Sequence, residues 1–163
     1  MFDLKISKLT VFLISFVTIG FLHAFHWENL YNTQLIQGSY DVIDRTPAWR
    51  VNQSRLIGPV MLKVMTLLGI SKWWAIRIFV LIFVLLNNLL FTKCISLLSQ
   101  SKFEILNSLI IFNALFIIAQ DQWLFVWDFI DITFFILYGL ILMKNYYIKY
   151  LFIINFLHIF NRE

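Results

Sequence analysis

The chain has 163 residues, of which 61% are hydrophobic and 18 are phenylalanine, and its 13 basic and nine acidic residues give a net charge of +4. Soluble domains are about 45–50% apolar and about 25% charged, so this composition excludes a soluble domain and predicts an integral membrane protein. The basic residues are scattered singly or in pairs, which excludes nucleic-acid binding. Cys94 is the only cysteine, so no disulfide framework can form.

The hydropathy pattern predicts an all-α, polytopic bundle of about five transmembrane helices, because each crossing needs roughly 20 mostly apolar residues. Lys5 and Lys8 precede the first apolar run, which places the N-terminus in the cytoplasm by the positive-inside rule. A long polar and aromatic external loop is predicted at residues 26–73. The predicted spans cover residues 9–25, 74–98, 105–119, 124–143 and 150–160.

Residues 56–70 of this loop leave two topologies open. Their apolar positions form a helical stripe, but the segment is short for a crossing and has Lys63 at its centre. A lysine in mid-membrane costs about 2.5–3.5 kcal/mol on insertion scales, whereas a helix lying in the interface keeps the ammonium group in water. If the segment crossed, Lys102, Lys144 and Lys149 would become external. The positive-inside rule therefore favours an interfacial helix.

With that topology, six of the nine acidic residues fall on the external side. They are Glu28, Asp41, Asp44, Asp121, Asp128 and Asp131. The last three are spaced i, i+7 and i+10, so they share one face of a helix. This face is expected to line a polar cavity at the outer membrane boundary, because acids within a membrane are candidates for function. The alternative is that these aspartates only mark the water boundary of a helix end.

The external loop also contains Arg45, Arg50 and Arg55, and a guanidinium group binds phosphate oxygens in pairs. Together with Asp121, Asp128 and Asp131 they form the predicted substrate- and phosphate-binding set. A carboxylate nearby could act as general base toward a hydroxyl group or hold a divalent metal ion, the one cofactor that the sequence suggests. The pattern favours a partner that is anionic and amphipathic, such as a lipid-linked sugar phosphate. The alternative role of the arginines is to anchor headgroups and form salt bridges within the loop.

Four asparagines lie inside predicted spans. At such positions an amide more often hydrogen-bonds to a neighbouring helix than binds a ligand, so contacts between helices are expected. The four are Asn87, Asn88, Asn107 and Asn113.

Three stretches of the sequence resemble the GT-C class of polytopic glycosyltransferases, which use polyprenyl-phosphate sugars, and uncharacterised bacterial relatives. The stretches are RLIGPVM at residues 55–61, WDFIDITFFILYGLILMKN at residues 127–145 and IFNRE at residues 159–163. The order of a first helix, a long acidic external loop with an interfacial helix, and a second acidic loop is also similar. The resemblance implies that Glu28, Asp41 or Asp44 is the catalytic base. It also implies that Asp121 or Asp128 assists with metal or phosphate.

Two departures from the GT-C pattern limit what the resemblance implies. No adjacent Asp-Glu pair follows the first helix, so the three acids of the first loop stay open as candidates. GT-C enzymes are much longer, so the chain is expected to be an N-terminal fragment, a truncated reading frame or a small stand-alone relative. The predicted function is sugar transfer on the external face of a bacterial plasma membrane. The alternative is a non-enzymatic membrane protein that scaffolds or regulates a larger complex, and a transporter ranks last because the acids cluster on one side.

Overall fold

The computed structural model describes residues 6–25, 33–44, 56–118, 126–144 and 148–162. Within these ranges the regular structure consists of seven α-helices and no strand, which confirms the all-α prediction. The helices are α1 (Lys8–Phe25), α2 (Thr33–Asp44), α3 (Ile57–Leu67), α4 (Lys72–Leu98), α5 (Lys102–Ile118), α6 (Val126–Lys144) and α7 (Ile148–Arg162).

Two of these helices, α1 and α4, are long and apolar enough to cross a membrane. The helices α1, α4, α5, α6 and α7 coincide with the five predicted spans to within three residues at each end. In contrast, α3 is an apolar helix of only 11 residues, which is shorter than a crossing requires. The structure thus supports association with a membrane through at least α1 and α4.

The sequence pattern did not predict α2, which lies within the polar segment assigned to the external loop. Its apolar side is supplied by Ile36 and Tyr40, one turn apart, which are buried in the core together with residues of α3 and α4. Gln37 and Asp44 lie on its exposed side. The helix is therefore amphipathic, and burial of one face stabilises it despite its polar composition.

A sharp turn connects α3 to α4 and fixes the position of α3. Gly69 has a φ of +89°, a left-handed conformation that glycine adopts without a steric penalty. The N–H of Gly69 donates to Thr66 O at 3.0 Å and that of Ile70 donates to Met65 O at 3.1 Å, which together form a Schellman motif. The Ser71 hydroxyl then caps the start of α4 by accepting from the Trp74 N–H.

The long helices alternate in direction along the chain. Two cavities between α1 and α5 show that these two helices run parallel, since residues 6–10 face residues 102–106 and residues 13–21 face residues 110–117. The other directions follow from two contacts for each pair of helices. When the residue numbers rise together in the two contacts the helices are parallel, and when they change in opposite directions the helices are antiparallel. The contacts are Asn88–Asn113 and Phe91–Phe112 between α4 and α5, Asn87–Thr133 and Cys94–Gly139 between α4 and α6, and Asp131–Asn161 and Tyr138–Asn155 between α6 and α7. Thus α1, α5 and α7 run one way, and α4 and α6 run the other way.

This alternation places charges of different kinds at the two ends of the bundle. Five lysines, Lys8, Lys93, Lys102, Lys144 and Lys149, lie toward the end where α1 starts, which we call the lysine-rich end. The four aspartates of the described residues lie toward the opposite end, together with Lys63, Lys72 and Arg77. Since α2 and α3 also lie there, we call it the α2–α3 end.

A buried polar network joins α1, α4 and α5. The side-chain amides of Asn88 and Asn113 donate to each other's carbonyl oxygens at 3.0 Å. Asn88 also donates to the Ser15 hydroxyl at 2.9 Å, and the Thr18 hydroxyl lies 2.7 Å from the Asn113 carbonyl oxygen. Asn87 reaches α6 instead, where it donates to the Phe129 carbonyl. The predicted contacts between helices are therefore confirmed for three of the four asparagines.

Candidate functional site

An ion pair at the α2–α3 end joins two helices that the sequence placed in the external loop. Lys63 Nζ of α3 lies 2.7 Å from Asp44 Oδ1 of α2, and these side chains are 36% and 41% exposed. Lys63 thus lies at a partly solvent-exposed position of α3. The pair places a partly exposed carboxylate and an ammonium group side by side on this surface.

Asp41 lies one turn before Asp44 and is partly exposed. Its carboxylate accepts a hydrogen bond of 2.6 Å from the Gln37 amide. Gln37 in turn accepts from Lys72 Nζ at 3.3 Å, and the same ammonium group lies 4.8 Å from the centre of the Tyr40 ring. These contacts connect α2 to the start of α4, so both first-loop aspartates of α2 are held on a packed surface.

Tyr40 secures α2 against α3. Its side chain is completely buried, and its hydroxyl lies 3.4 Å from the Leu62 carbonyl oxygen. Burial raises the pKa of Tyr40 to about 12, although a hydrogen bond with Thr66 lowers it in part. The phenol is therefore neutral at physiological pH and serves as a packing residue that positions Asp41 and Asp44.

A second cluster lies between α6 and α7, around Asp131. The carboxylate oxygen Oδ1 accepts from the Asn161 amide at 2.8 Å and lies 3.1 Å from His158 Nε2. Asp131 is only 8% exposed and Asn161 is completely buried. Because a buried carboxylate is costly unless it is hydrogen-bonded, these two partners explain how Asp131 is accommodated within the bundle.

The hydrogen-bonded chain continues from His158 along the contact between the two helices. His158 Nδ1 lies 3.4 Å from the Tyr138 hydroxyl, which donates to Asn155 Oδ1 at 3.2 Å. The imidazole ring also contacts the Phe134 ring, with 5.0 Å between their centres. His158 is thus held on both ring nitrogens, and the contacts fix the register of α7 against α6.

The start of α3 meets the end of α7 beside this cluster. The Leu56 N–H donates to the Phe160 carbonyl at 2.8 Å. The first N–H groups and the last C=O groups of a helix have no partner within that helix, so this bond satisfies one group at each end. Phe160 is next to Asn161, which binds Asp131. The three stretches that carry the GT-C resemblance therefore meet in space through Leu56, Asp131 and Asn161, although they are far apart in sequence.

The helix α3 belongs to both clusters. Leu56 lies at its start beside α7, and Lys63 lies seven residues later beside α2. Seven residues of α-helix span about 10 Å, so a rigid and short element connects the Asp44 ion pair to the surroundings of Asp131.

The predicted site residues are only partly within the described chain. Asp128 is half-buried in the first turn of α6, one turn before Asp131, and the spacing on one helix face is as expected for this pair. Five predicted residues lie outside the described residues, namely Glu28, Arg45, Arg50, Arg55 and Asp121. Their assignment as base or phosphate-binding groups stays a prediction.

A divalent metal ion does not fit the residues that the structure describes. No group of three or more His, Cys, Asp or Glu side chains lies close enough together in these ranges to hold one. The two aspartates of α2 are one turn apart, but the carboxylate of Asp44 is already bound by Lys63. We therefore derive no chemical step through a metal.

Sequence reasoning missed His158 and Asn161 as partners of Asp131. Both lie on one face of α7, because they are spaced i and i+3. Polar residues at this spacing inside an apolar helix indicate a contact with a polar residue of a neighbouring helix. That pattern could have identified the face of α7, but not which acid it would meet.

Comparisons with known proteins identify no relative: no protein-family model, curated protein or solved structure matches the chain. The GT-C resemblance therefore depends on its three short stretches of sequence.

Proposed function

We propose that the chain crosses a membrane five times, with the lysine-rich end in the cytoplasm and the α2–α3 end outside. Two helices meet the requirements of length and apolarity for a crossing. The alternating directions of α1, α4, α5, α6 and α7 support the remaining crossings, because consecutive transmembrane helices joined by short connections must alternate. The position of the five lysines supports the orientation through the positive-inside rule.

Cysteine labelling in right-side-out vesicles tests this topology. In a Cys94→Ser background, a membrane-impermeant maleimide should label Gln37→Cys at once, but Lys102→Cys only after the membrane is permeabilised. Both positions are exposed at opposite ends of the bundle, so differences in burial cannot explain a difference in labelling. Labelling of position 102 from outside would contradict the five-crossing topology.

We further propose that the protein is a GT-C-like glycosyltransferase of the bacterial plasma membrane, or part of one. The single observation that carries this proposal is the meeting of the three GT-C-like stretches at Leu56, Asp131 and Asn161. The substrate class follows from the resemblance and from the loop arginines, which suit the phosphate group of a polyprenyl-phosphate sugar.

In the proposed reaction, Asp41 or Asp44 takes the proton of an acceptor hydroxyl group. The hydroxyl oxygen forms a bond to the anomeric carbon of the sugar, and the bond from that carbon to the lipid phosphate breaks. The polyprenyl phosphate leaves with the electron pair. Both aspartates lie on the surface formed by α2 and α3, where a water-soluble acceptor could reach them, and Glu28 remains the third candidate for the base.

A transfer assay tests this proposal. The full chain in nanodiscs is incubated with undecaprenyl-phosphate glucose that carries a radiolabelled sugar, and in separate assays with the mannose and galactose forms of this lipid. The measured quantity is the release of the labelled sugar from the lipid. Changing the catalytic base to its amide should lower the rate by at least about 100-fold, so Asp41→Asn, Asp44→Asn and Asp128→Asn are compared. Glu104→Gln at the lysine-rich end is the matched control and should be active. Glu28→Gln is compared in the same way, and full activity in this variant and in all three aspartate variants would refute the catalytic assignment.

A specific observation favours the second candidate function, a non-enzymatic scaffold or regulator of a membrane complex. Each described aspartate already contacts a protein group, including Gln37 for Asp41, Lys63 for Asp44 and His158 for Asp131. The acids could therefore serve to hold the helices together. In that case the wild-type chain would transfer no sugar, and the amide variants would change stability alone.

A further inference from the structure

A cavity of about 280 Å³ opens between α1 and α5 at the lysine-rich end. Its polar side is formed by Lys102 and by the hydroxyl groups of Ser7 and Thr10, and its apolar side by Ile6, Phe103 and Leu106. None of these residues belongs to the clusters around Asp44 or Asp131. The cavity thus combines a cation, a pair of hydroxyl groups bonded to each other and an apolar wall, on the far side of the molecule from the candidate site.

Lys102 has no ion pair or hydrogen bond within the described part of the chain. This distinguishes it from Lys63 and Lys72 at the other end, which bind Asp44 and Gln37. The nearest acid in sequence, Glu104, accepts a hydrogen bond from Ser99 instead. Among the described residues, nothing binds the ammonium group at the cavity, which leaves it open to an anion there.

The hydroxyl groups are held in place by the start of α1. Ser7 Oγ accepts from the Thr10 N–H at 3.0 Å, and the two side-chain oxygens are 2.8 Å apart. Helices α1 and α5 both begin at this cavity, so the positive ends of two helix dipoles add to the charge of Lys102. All of these contributions favour an anion with several oxygen atoms, such as a phosphate group.

We propose that this cavity binds the phosphate group of an anionic phospholipid in the membrane leaflet at the lysine-rich end. The apolar wall argues for a lipid headgroup rather than free phosphate, because Ile6, Phe103 and Leu106 would contact the first part of the lipid chains. Basic pockets between transmembrane helices on the cytoplasmic side bind such headgroups. The inference depends on the proposed membrane crossings but not on sugar transfer, and it assigns a lipid-binding function to the opposite end of the bundle.

Native mass spectrometry of the full chain in detergent tests the inference. The wild-type protein should bind one molecule of phosphatidylglycerol, and should bind it more tightly than the zwitterionic phosphatidylcholine in a parallel titration. Lys102→Gln should weaken phosphatidylglycerol binding by about fivefold, the effect of losing one direct hydrogen bond to the phosphate group. Adding Thr10→Val to Lys102→Gln should weaken phosphatidylglycerol binding further. Lys149→Gln removes a lysine at the same end but outside the cavity, so it is the matched control and should bind as wild type.

Three results would overturn the inference. These are equal binding of the two lipids, unchanged binding by Lys102→Gln, and an equal loss in Lys149→Gln. Circular dichroism confirms that each variant keeps its helices, so that a loss of binding is not a loss of folding. Adding excess inorganic phosphate tests whether the cavity prefers a lipid to free phosphate. If phosphatidylglycerol stays bound, the lipid chains contribute to binding as proposed. If phosphate displaces the lipid, the preference for a lipid is overturned. Absence of sugar transfer would leave all of these outcomes unaffected.

Discussion

Replacing Asp131 with alanine should destabilise the chain by about 3 kcal/mol, because the buried amide of Asn161 and the partly buried His158 would both lose the carboxylate as a partner. Asn161 is completely buried, and its amide donates to the Asp131 carboxylate at 2.8 Å. His158 lies 3.1 Å from the same oxygen and is surrounded by aromatic rings. The loss should therefore separate α7 from α6 and release its contact with Leu56.

Equilibrium unfolding of the purified protein in mixed micelles, with increasing amounts of denaturing detergent, measures this effect. Asp128→Ala is the matched control, since Asp128 lies one turn earlier on the same helix and is only half-buried. Its effect should be smaller than that of Asp131→Ala, because its carboxylate is half-buried rather than buried. Asp131→Asn keeps a side-chain oxygen that accepts from Asn161 but removes the charge, so an intermediate value is expected. Equal stability of Asp131→Ala and Asp128→Ala would show that the cluster does not hold the two helices together.

The positions of the long helices could be predicted from the sequence because apolar runs in this chain are separated by short polar segments. The boundaries of α4, for example, follow from Ser71 as a cap and from the polar residues after Leu98. The role of Asn88 and Asn113 was also predictable, because an amide in an apolar segment needs a partner and only neighbouring helices can provide it. These features depend on local sequence or on the general cost of burying a polar group.

The pairing of Asp131 with His158 and Asn161 could not be predicted in the same way. The residues are 27 and 30 positions apart, and their contact depends on the rotation and register of α7 against α6. The same holds for the meeting of Leu56 with Phe160, which depends on where α3 lies. For α2, the local composition is polar and the helix is stabilised by burial of Tyr40 against another helix, so no local pattern identifies it. Contacts between distant segments therefore limited the prediction of the site more than that of the fold.

Replacing Tyr40 with alanine should release α2 from α3 and cost about 3–5 kcal/mol of local stability, the usual range for a large buried aromatic residue. The Tyr40 ring is completely buried between the two helices. Without it, α2 would lose the largest contact of its apolar face, and would keep only Ile36, Val42 and exposed polar contacts such as the Asp44–Lys63 ion pair. Such exposed pairs contribute about 0–1 kcal/mol. Asp41 and Asp44 would then no longer be fixed next to α3.

Thiol accessibility at Ser39 measures the release of α2, because Ser39 is only 2% exposed and lies next to Tyr40. In a Cys94→Ser background, Ser39→Cys should resist a water-soluble maleimide while α2 is packed, and should react rapidly when Tyr40→Ala is added. Tyr40→Phe is the matched control. It keeps the ring and loses only the hydroxyl group, whose contact with Leu62 O is long at 3.4 Å, so position 39 should stay protected. Equal protection in Tyr40→Ala and Tyr40→Phe would mean that other contacts hold α2, and that Asp41 and Asp44 keep their place without Tyr40. Rapid reaction in Tyr40→Ala alone would show that one buried ring fixes the position of both candidate bases.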